Sequence, residues 1–161
     1  MRPMRRKDRQ VTDFSKILEI IDRCDCCRLG FYDEEAKQVY IVPLNFGYTA
    51  EGERVTFYFH GAKEGRKIEL ISKAPNVGFE MDTNYKVNEA DAACEYSARF
   101  QSVIGNGKVS MIEDLAEKKQ GLEILMKHVA GRDGWEYPEQ MLKNMSVFKL
   151  EVEELACKEH E

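Results

Sequence analysis

The chain of 161 residues is long enough for one domain with a real hydrophobic core. Its 33% charged and 43% hydrophobic residues are those of an ordinary globular protein, and a net charge of -5 argues against a surface given over to nucleic acid. No apolar run approaches the roughly 18 residues that span a bilayer, and the basic N-terminus has no apolar stretch behind it, so a cytoplasmic protein without membrane contact is the expectation.

Residues 1–10, MRPMRRKDRQ, carry five bases against one acid and read as a solvated arm packed across a partner subunit. Phe14, Ile17, Leu18 and Ile21 then recur at helical spacing behind Thr12 or Asp13 as N-cap, and this helix ends near Cys24. Three of the five cysteines crowd into CDCC, residues 24–27. Cys24 and Cys27 have C-x-x-C spacing but no second such pair, so no metal site is expected. They also follow a helix at its negative end, where a reactive thiolate is disfavoured. Buried thiols at a helix-to-strand joint are the reading adopted.

CCRLGFY, QVYIVPLNFGY and VTFYFHG, separated by the turn-like DEEAK and EGER, form an antiparallel meander. QVYIVPLNF is apolar on both faces, which predicts a central or barrel-lining strand, with a bulge or local edge at Pro43. A short helix from about Lys63 turns Ile68, Leu70 and Ile71 to the core. VGFEMDTNYKV is the next strand. CEYSARFQSVIGNGKVSMI is a strand pair or one bent strand broken at Gly105–Gly107. A helix from Asp114 buries Leu115, Leu122, Leu125, Met126 and Val129, and MSVFKLEVEEL closes the chain after a short helical piece. Strands outnumber helices, so a single mainly β domain over residues 1–161, a small antiparallel barrel with peripheral helices, is the expected fold.

The chemistry concentrates where VTFYFHG meets the following helix. His60, Gly61, Lys63, Gly65, Arg66 and Lys67 put glycines and cations at a helix N-terminus, whose unpaired N–H groups and positive dipole end suit a phosphate. Strand backbone from Pro43 to Phe46 is placed near it as a wall for a planar ring, with Asn45 offering polar bonds. The dinucleotide G-x-G-x-x-G and Walker-type loops are absent, so a mononucleotide is favoured. His60 shares a face with Thr56 and Tyr58, opposite the apolar set Val55, Phe57 and Phe59.

MRRKDRQVTD, YIVPLNFGY, YFHGAKEGRKIELI, FQSVIGNGKV and LMKHVAG, in order over nearly the whole chain, resemble the nitroimidazole-resistance branch of the pyridoxamine 5'-phosphate oxidase-like flavoproteins. The resemblance implies an FMN-binding split β-barrel homodimer with one FMN at each subunit interface. Arg66 and Lys67 would hold the phosphate, with Lys63 and Gly65 beside them. Pro43, Leu44, Asn45 and Phe46 would contact the flavin, and Gln101 and Ser102 would complete the pocket. His60 falls where the branch has a histidine near the flavin and is the catalytic candidate. The acidic end, FKLEVEELACKEHE, lacks the arginine-bearing motifs that grip pyridoxamine phosphate, so that oxidation is not expected. Trp135 and Tyr137 read as loop anchors, with coverage of a flavin across a dimer as the alternative.

These features imply an FMN-dependent oxidoreductase, a reductase of nitroaromatic or other small acceptors with NAD(P)H as possible donor. The rivals are a flavin-binding carrier, sensor or electron relay without turnover, a barrel that takes haem or a deazaflavin, and a nucleic-acid module using the basic arm.

Overall fold

The computed structural model describes residues 1–161. A 3-10 turn at Lys7–Arg9 leads into β1 (Gln10–Val11) and then α1 (Phe14–Arg23). Four strands follow: β2 (Cys27–Asp33), β3 (Gln38–Leu44), β4 (Gly47–Glu51) and β5 (Arg54–Ala62). After α2 (Arg66–Lys73) come the long strands β6 (Asn76–Asn88) and β7 (Ser97–Met111), then α3 (Leu115–Ala130), α4 (Glu139–Lys143) and β8 (Met145–His160). No helix is long and apolar enough to cross a membrane.

All pairings are antiparallel, in the order β3-β2-β6-β7-β8-β5-β4, with β1 added to the far half of β8. β3 and β4 therefore stand at opposite ends of the sheet, yet only Asn45 and Phe46 separate them in the chain. Three residue steps reach at most about 11 Å, so the sheet must curl until its two ends meet at this link. The ends are not hydrogen-bonded to each other, and the closed shape is split there. Phe46 pins the link: its ring is fully buried, edge-on to Phe57 at 5.6 Å and against His128 at 4.4 Å.

The core fills the inside of this curl. Val55, Phe57 and Phe59 alternate inward along β5 and join Leu29, Phe31, Phe79, Val103 and Leu150. α1 closes one opening with Ile17, Ile20 and Ile21, and Asp13 caps it by accepting from Ser15 N–H. α2 contributes Leu70 and Ile71, with Ile68 packed at the margin. A smaller cluster of Ile112, Leu122, Leu142 and Val147 lies outside the sheet, where α3 and α4 cover Tyr58.

Three expectations change. The segment QVYIVPLNFGY is not one central strand. β3 is an edge strand, which suits Pro43, and its outward residues Val39 and Ile41 are 65% and 63% exposed. Its apolar outer side belongs to an uncovered sheet face. Val129 is 46% exposed in the last turn of α3. β7 is one continuous strand whose pairing with β8 shifts between Asn106 and Gly107. A Cβ at Gly105 or Gly107 would stand 2.2 Å from a β8 carbonyl, so the two glycines permit close approach at a bend rather than a break.

Cys24 and Cys27 are fully buried at the α1–β2 joint, where Cys24 Sγ donates to Ile20 O at 3.2 Å. Burial pushes the Cys24 thiol up to about 12 and the Cys27 thiol further still, so neither serves as a thiolate at neutral pH. The N-terminal arm lies on β8: the Met1 ammonium bonds Glu154 at 2.9 Å, and Arg9 donates to His160 Nε2 at 3.2 Å.

Candidate functional site

β5 ends at Ala62, and α2 begins four residues later with Gly65 as its N-cap. Gly65 has φ 137°, a conformation that side chains rarely adopt, and no side chain caps the helix. Gly65 O accepts from the amides of Ile68 and Glu69, while the Arg66 and Lys67 amides have no backbone acceptor. The Lys67 side chain folds back over Gly61, where a Cβ would lie 2.7 Å from Lys67 Cε. Lys63 and Lys67 form no ion pair. Arg66 does: it reaches Asp33 at 3.1 Å and stacks over Tyr40 at 4.5 Å, tying α2 to the β2–β3 hairpin. A hydrogen bond from Ala36 N–H, aided by Arg66, holds the Asp33 carboxyl below its usual range.

His60 is exposed at the end of β5, on the side opposite Phe57 and Phe59, and makes no hydrogen bond within the chain. Partial burial and then the charge of Lys67 push its imidazole below the ordinary value. The joint is thus an open surface with uncapped amides, two unpaired lysines and a free imidazole. Along β3, Pro43 lies three residues from Tyr40, about 10 Å of strand, and on the opposite face. Pro43 and Asn45 are exposed there, and Leu44 turns towards the core. Phe46 belongs to the fold: its ring is wholly enclosed and holds the link between β3 and β4.

Gln101 and Ser102 are elsewhere. His60 is level with Val147 on β8 and Gln101 with Glu159, so twelve residues of β8, about 40 Å of extended strand less its bend, separate them. Gln101 is 7% exposed and already engaged. Its carbonyl accepts from Asn84 at 2.7 Å and Arg23 at 3.3 Å, and its amide donates to Glu159, which also receives Lys16. One chain does not bring the Gln101 end and the cationic joint to a single ligand. Trp135 and Tyr137 are loop anchors: Trp135 donates to Arg132 O at 3.0 Å under the Arg132 guanidinium, and Tyr137 packs on the outer cluster.

A cleft of about 950 Å³ lies not at the joint but beside Gln101, between the β6–β7 hairpin and the end of β8. A second, of about 540 Å³, is an apolar groove on the outer sheet face between Ile41, Gly30, Gly78 and Ile104. Sequence reading missed His128. It sits on α3 and donates through Nε2 to Cys24 O at 2.8 Å, satisfying a carbonyl just past α1, while its ring rests on Phe46. Its signal was faint: a histidine three residues beyond Leu125 on the buried stripe, just before the helix-ending Gly131.

A curled antiparallel sheet split between β3 and β4, with peripheral helices, defines the class of split β-barrels. The chain belongs to the pyridoxamine 5'-phosphate oxidase family, whose model matches residues 13–159. A candidate 5-nitroimidazole antibiotic resistance protein from Bacteroides thetaiotaomicron is 34% identical, with a TM-score of 0.79 over 92% of this chain and 85% of that one. The flavocytochrome Anf3 from Azotobacter vinelandii shares the fold at 20% identity, with a TM-score of 0.76 over 99% of this chain and 72% of its own. So does the FAD and heme binding protein from Mycobacterium smegmatis, at 17% identity and a TM-score of 0.73 over 95% and 74%. No curated protein matches in sequence.

Proposed function

We propose that the chain is an FMN-dependent reductase that passes electrons to a small acceptor such as a nitroaromatic. The carrying observation is the joint itself: uncapped Arg66 and Lys67 amides beside Lys63 and Lys67, which have no acidic partner. Such a group of donors fits a phosphate, and Gly61 and Gly65 leave it open to the backbone. Pro43, Leu44 and Asn45 would flank the ring along the edge of β3. FMN, when bound, supplies the electron transfer; the protein positions it and controls protons. His60, without an internal partner, is placed to hold a proton for the acceptor. The flavocytochrome and the FAD and heme binding protein are precedents for flavin on this fold.

The working unit in this reading is a homodimer. Val39, Ile41 and Ile104 are each more than half exposed and leave an apolar sheet face uncovered. A second copy on that face would bring its Ser102 end towards the joint, which accounts for two sets of site residues at opposite ends of β8. Sedimentation should show a dimer; a stable monomer that still holds FMN refutes this arrangement.

The decisive experiment is the absorption spectrum of the purified protein with FMN. Flavin bands should appear, bleach with NADH or NADPH, and return faster when a nitroimidazole is added. A protein that takes up no flavin overturns the reading. Flavin that bleaches yet never reduces an acceptor makes the protein a carrier.

A further inference from the structure

The cleft beside Gln101 holds an arrangement that the flavin joint does not explain. β6 carries a register shift between Thr83 and Lys86, with Asn84 at φ 57°, and beyond it the β6–β7 hairpin extends as an arm. On that arm Lys86 stands directly opposite Arg99. Like charges placed across a strand pair repel, and neither forms an ion pair or a side-chain hydrogen bond within the chain. Both line the 950 Å³ cleft together with Tyr85, which is 73% exposed, and Phe100. Two acids share the lining, but neither pairs with Lys86 or Arg99: Glu159 is engaged by Lys16 and Gln101, and Glu161 is exposed. His160 is held by Arg9 and by its own Nδ1–H to Ala98 O at 2.7 Å. What remains free is a pair of cations beside aromatic rings in a space the size of a small-molecule site.

The geometry points to a binding site for an adenosine phosphate on the hairpin arm, with Lys86 and Arg99 holding the phosphate and Tyr85 or Phe100 stacking on the base. An arginine grips two phosphate oxygens at once, the lysine adds a point charge, and an exposed aromatic ring gives a purine a face to lie on. Gln101, which the flavin reading sets beside the cofactor, lines the same cleft. On that reading, the adenosine phosphate is one end of a dinucleotide whose other end reaches the flavin ring. It belongs either to FAD bound in place of FMN or to the donor NAD(P)H. The anion site itself rests only on the arm.

The test uses the full chain and the double variant Lys86→Ala/Arg99→Ala, whose side chains are exposed, with circular dichroism to confirm the fold. ADP is titrated calorimetrically, with inorganic phosphate as control. The native protein should bind ADP more tightly than phosphate, and the variant should lose on the order of tenfold to a hundredfold of that affinity. If FAD is the source, the variant's FAD affinity falls by a similar factor while FMN affinity holds. If the donor is the source, both flavin affinities hold and the KM for NADPH rises with kcat unchanged. ADP binding that is absent, or equal in the two proteins, overturns the site. A protein that takes up no flavin but loses ADP through this variant defeats the flavin reading and leaves the arm site standing.

Discussion

Two histidines at the ends of secondary-structure elements show how the molecule separates holding from acting. His128 has its Nε2–H on the Cys24 carbonyl and its ring on Phe46, so it ties α3, α1 and the β3–β4 link into one corner. The His60 side chain, near the end of β5, has no hydrogen-bond partner and stands beside Lys67, which also lacks one. A polar group fully engaged by its own chain stabilises the fold. One left unengaged at a conformationally special turn, with other unpaired donors around it, is available to a ligand. The same contrast separates Lys63 and Lys67 from Arg66, which is tied to Asp33, and the unpaired Lys86–Arg99 couple from the engaged Gln101.

If the joint is the phosphate site, the largest effect comes from removing its charge. Lys63→Ala/Lys67→Ala should weaken FMN by more than a hundredfold, since charge-assisted hydrogen bonds are worth roughly 1.5–3 kcal/mol each. The fold should survive, because both lysines lie outside the core and neither is paired with an acid. Riboflavin should bind the native protein poorly; equal affinity for riboflavin and FMN places the phosphate elsewhere. Next comes His60→Gln, expected to keep the yellow colour and FMN affinity while slowing acceptor reduction about a hundredfold, with dithionite reduction unchanged. Normal turnover in this variant makes His60 a bystander, and loss of FMN makes it a binding residue.

Most of the fold was legible because its signals are local. The helical spacing of Phe14 to Ile21, the period-two alternation of Val55, Phe57 and Phe59, and the cap at Asp13 each act within a few residues and survive in the structure. The position of β3 was not legible. Apolar side chains on both of its faces fit a central strand or an edge strand with an uncovered outer face, and only the pairing partners decide. The same non-local order hides the break at Asn45–Phe46 and the transfer of Phe46 to the core. At the site, glycines and cations around residues 61–67 could be read because they neighbour one another in sequence. Gln101 could not: its engagement depends on Arg23, Asn84 and Glu159, which three other elements deliver.

On the structural side of the contrast, His128→Ala should lower stability and leave FMN affinity intact. It strips a part-buried carbonyl of its donor and removes a ring contact, together about 2 kcal/mol. For a domain of this size that is a fall in Tm of roughly 4–8 °C. His60→Ala should leave Tm nearly unchanged, because no hydrogen bond is lost. Equal losses in the two variants would erase the distinction drawn between the two regions.

The smallest effect is in pH. Burial first, and Lys67 second, press the His60 imidazole below the ordinary histidine value of about 6.5. The folded chain then binds fewer protons at this site than the unfolded chain, so any stability it contributes is full above 6.5 and is lost as pH falls through the folded value. The rate runs the other way. A proton donor must carry its proton, so kcat/KM for the acceptor should rise as pH falls from 8, by about tenfold per unit, and level off below the folded value. In His60→Gln the profile should be flat over this range. FMN adds the sharper feature, since a phosphate beside Lys67 offsets that lysine's charge. The His60 ring signals, followed by NMR across pH, should titrate higher with FMN bound than without it. A titration unmoved by FMN would separate His60 from the phosphate site, and a kcat/KM that climbs with pH would remove it as the proton donor.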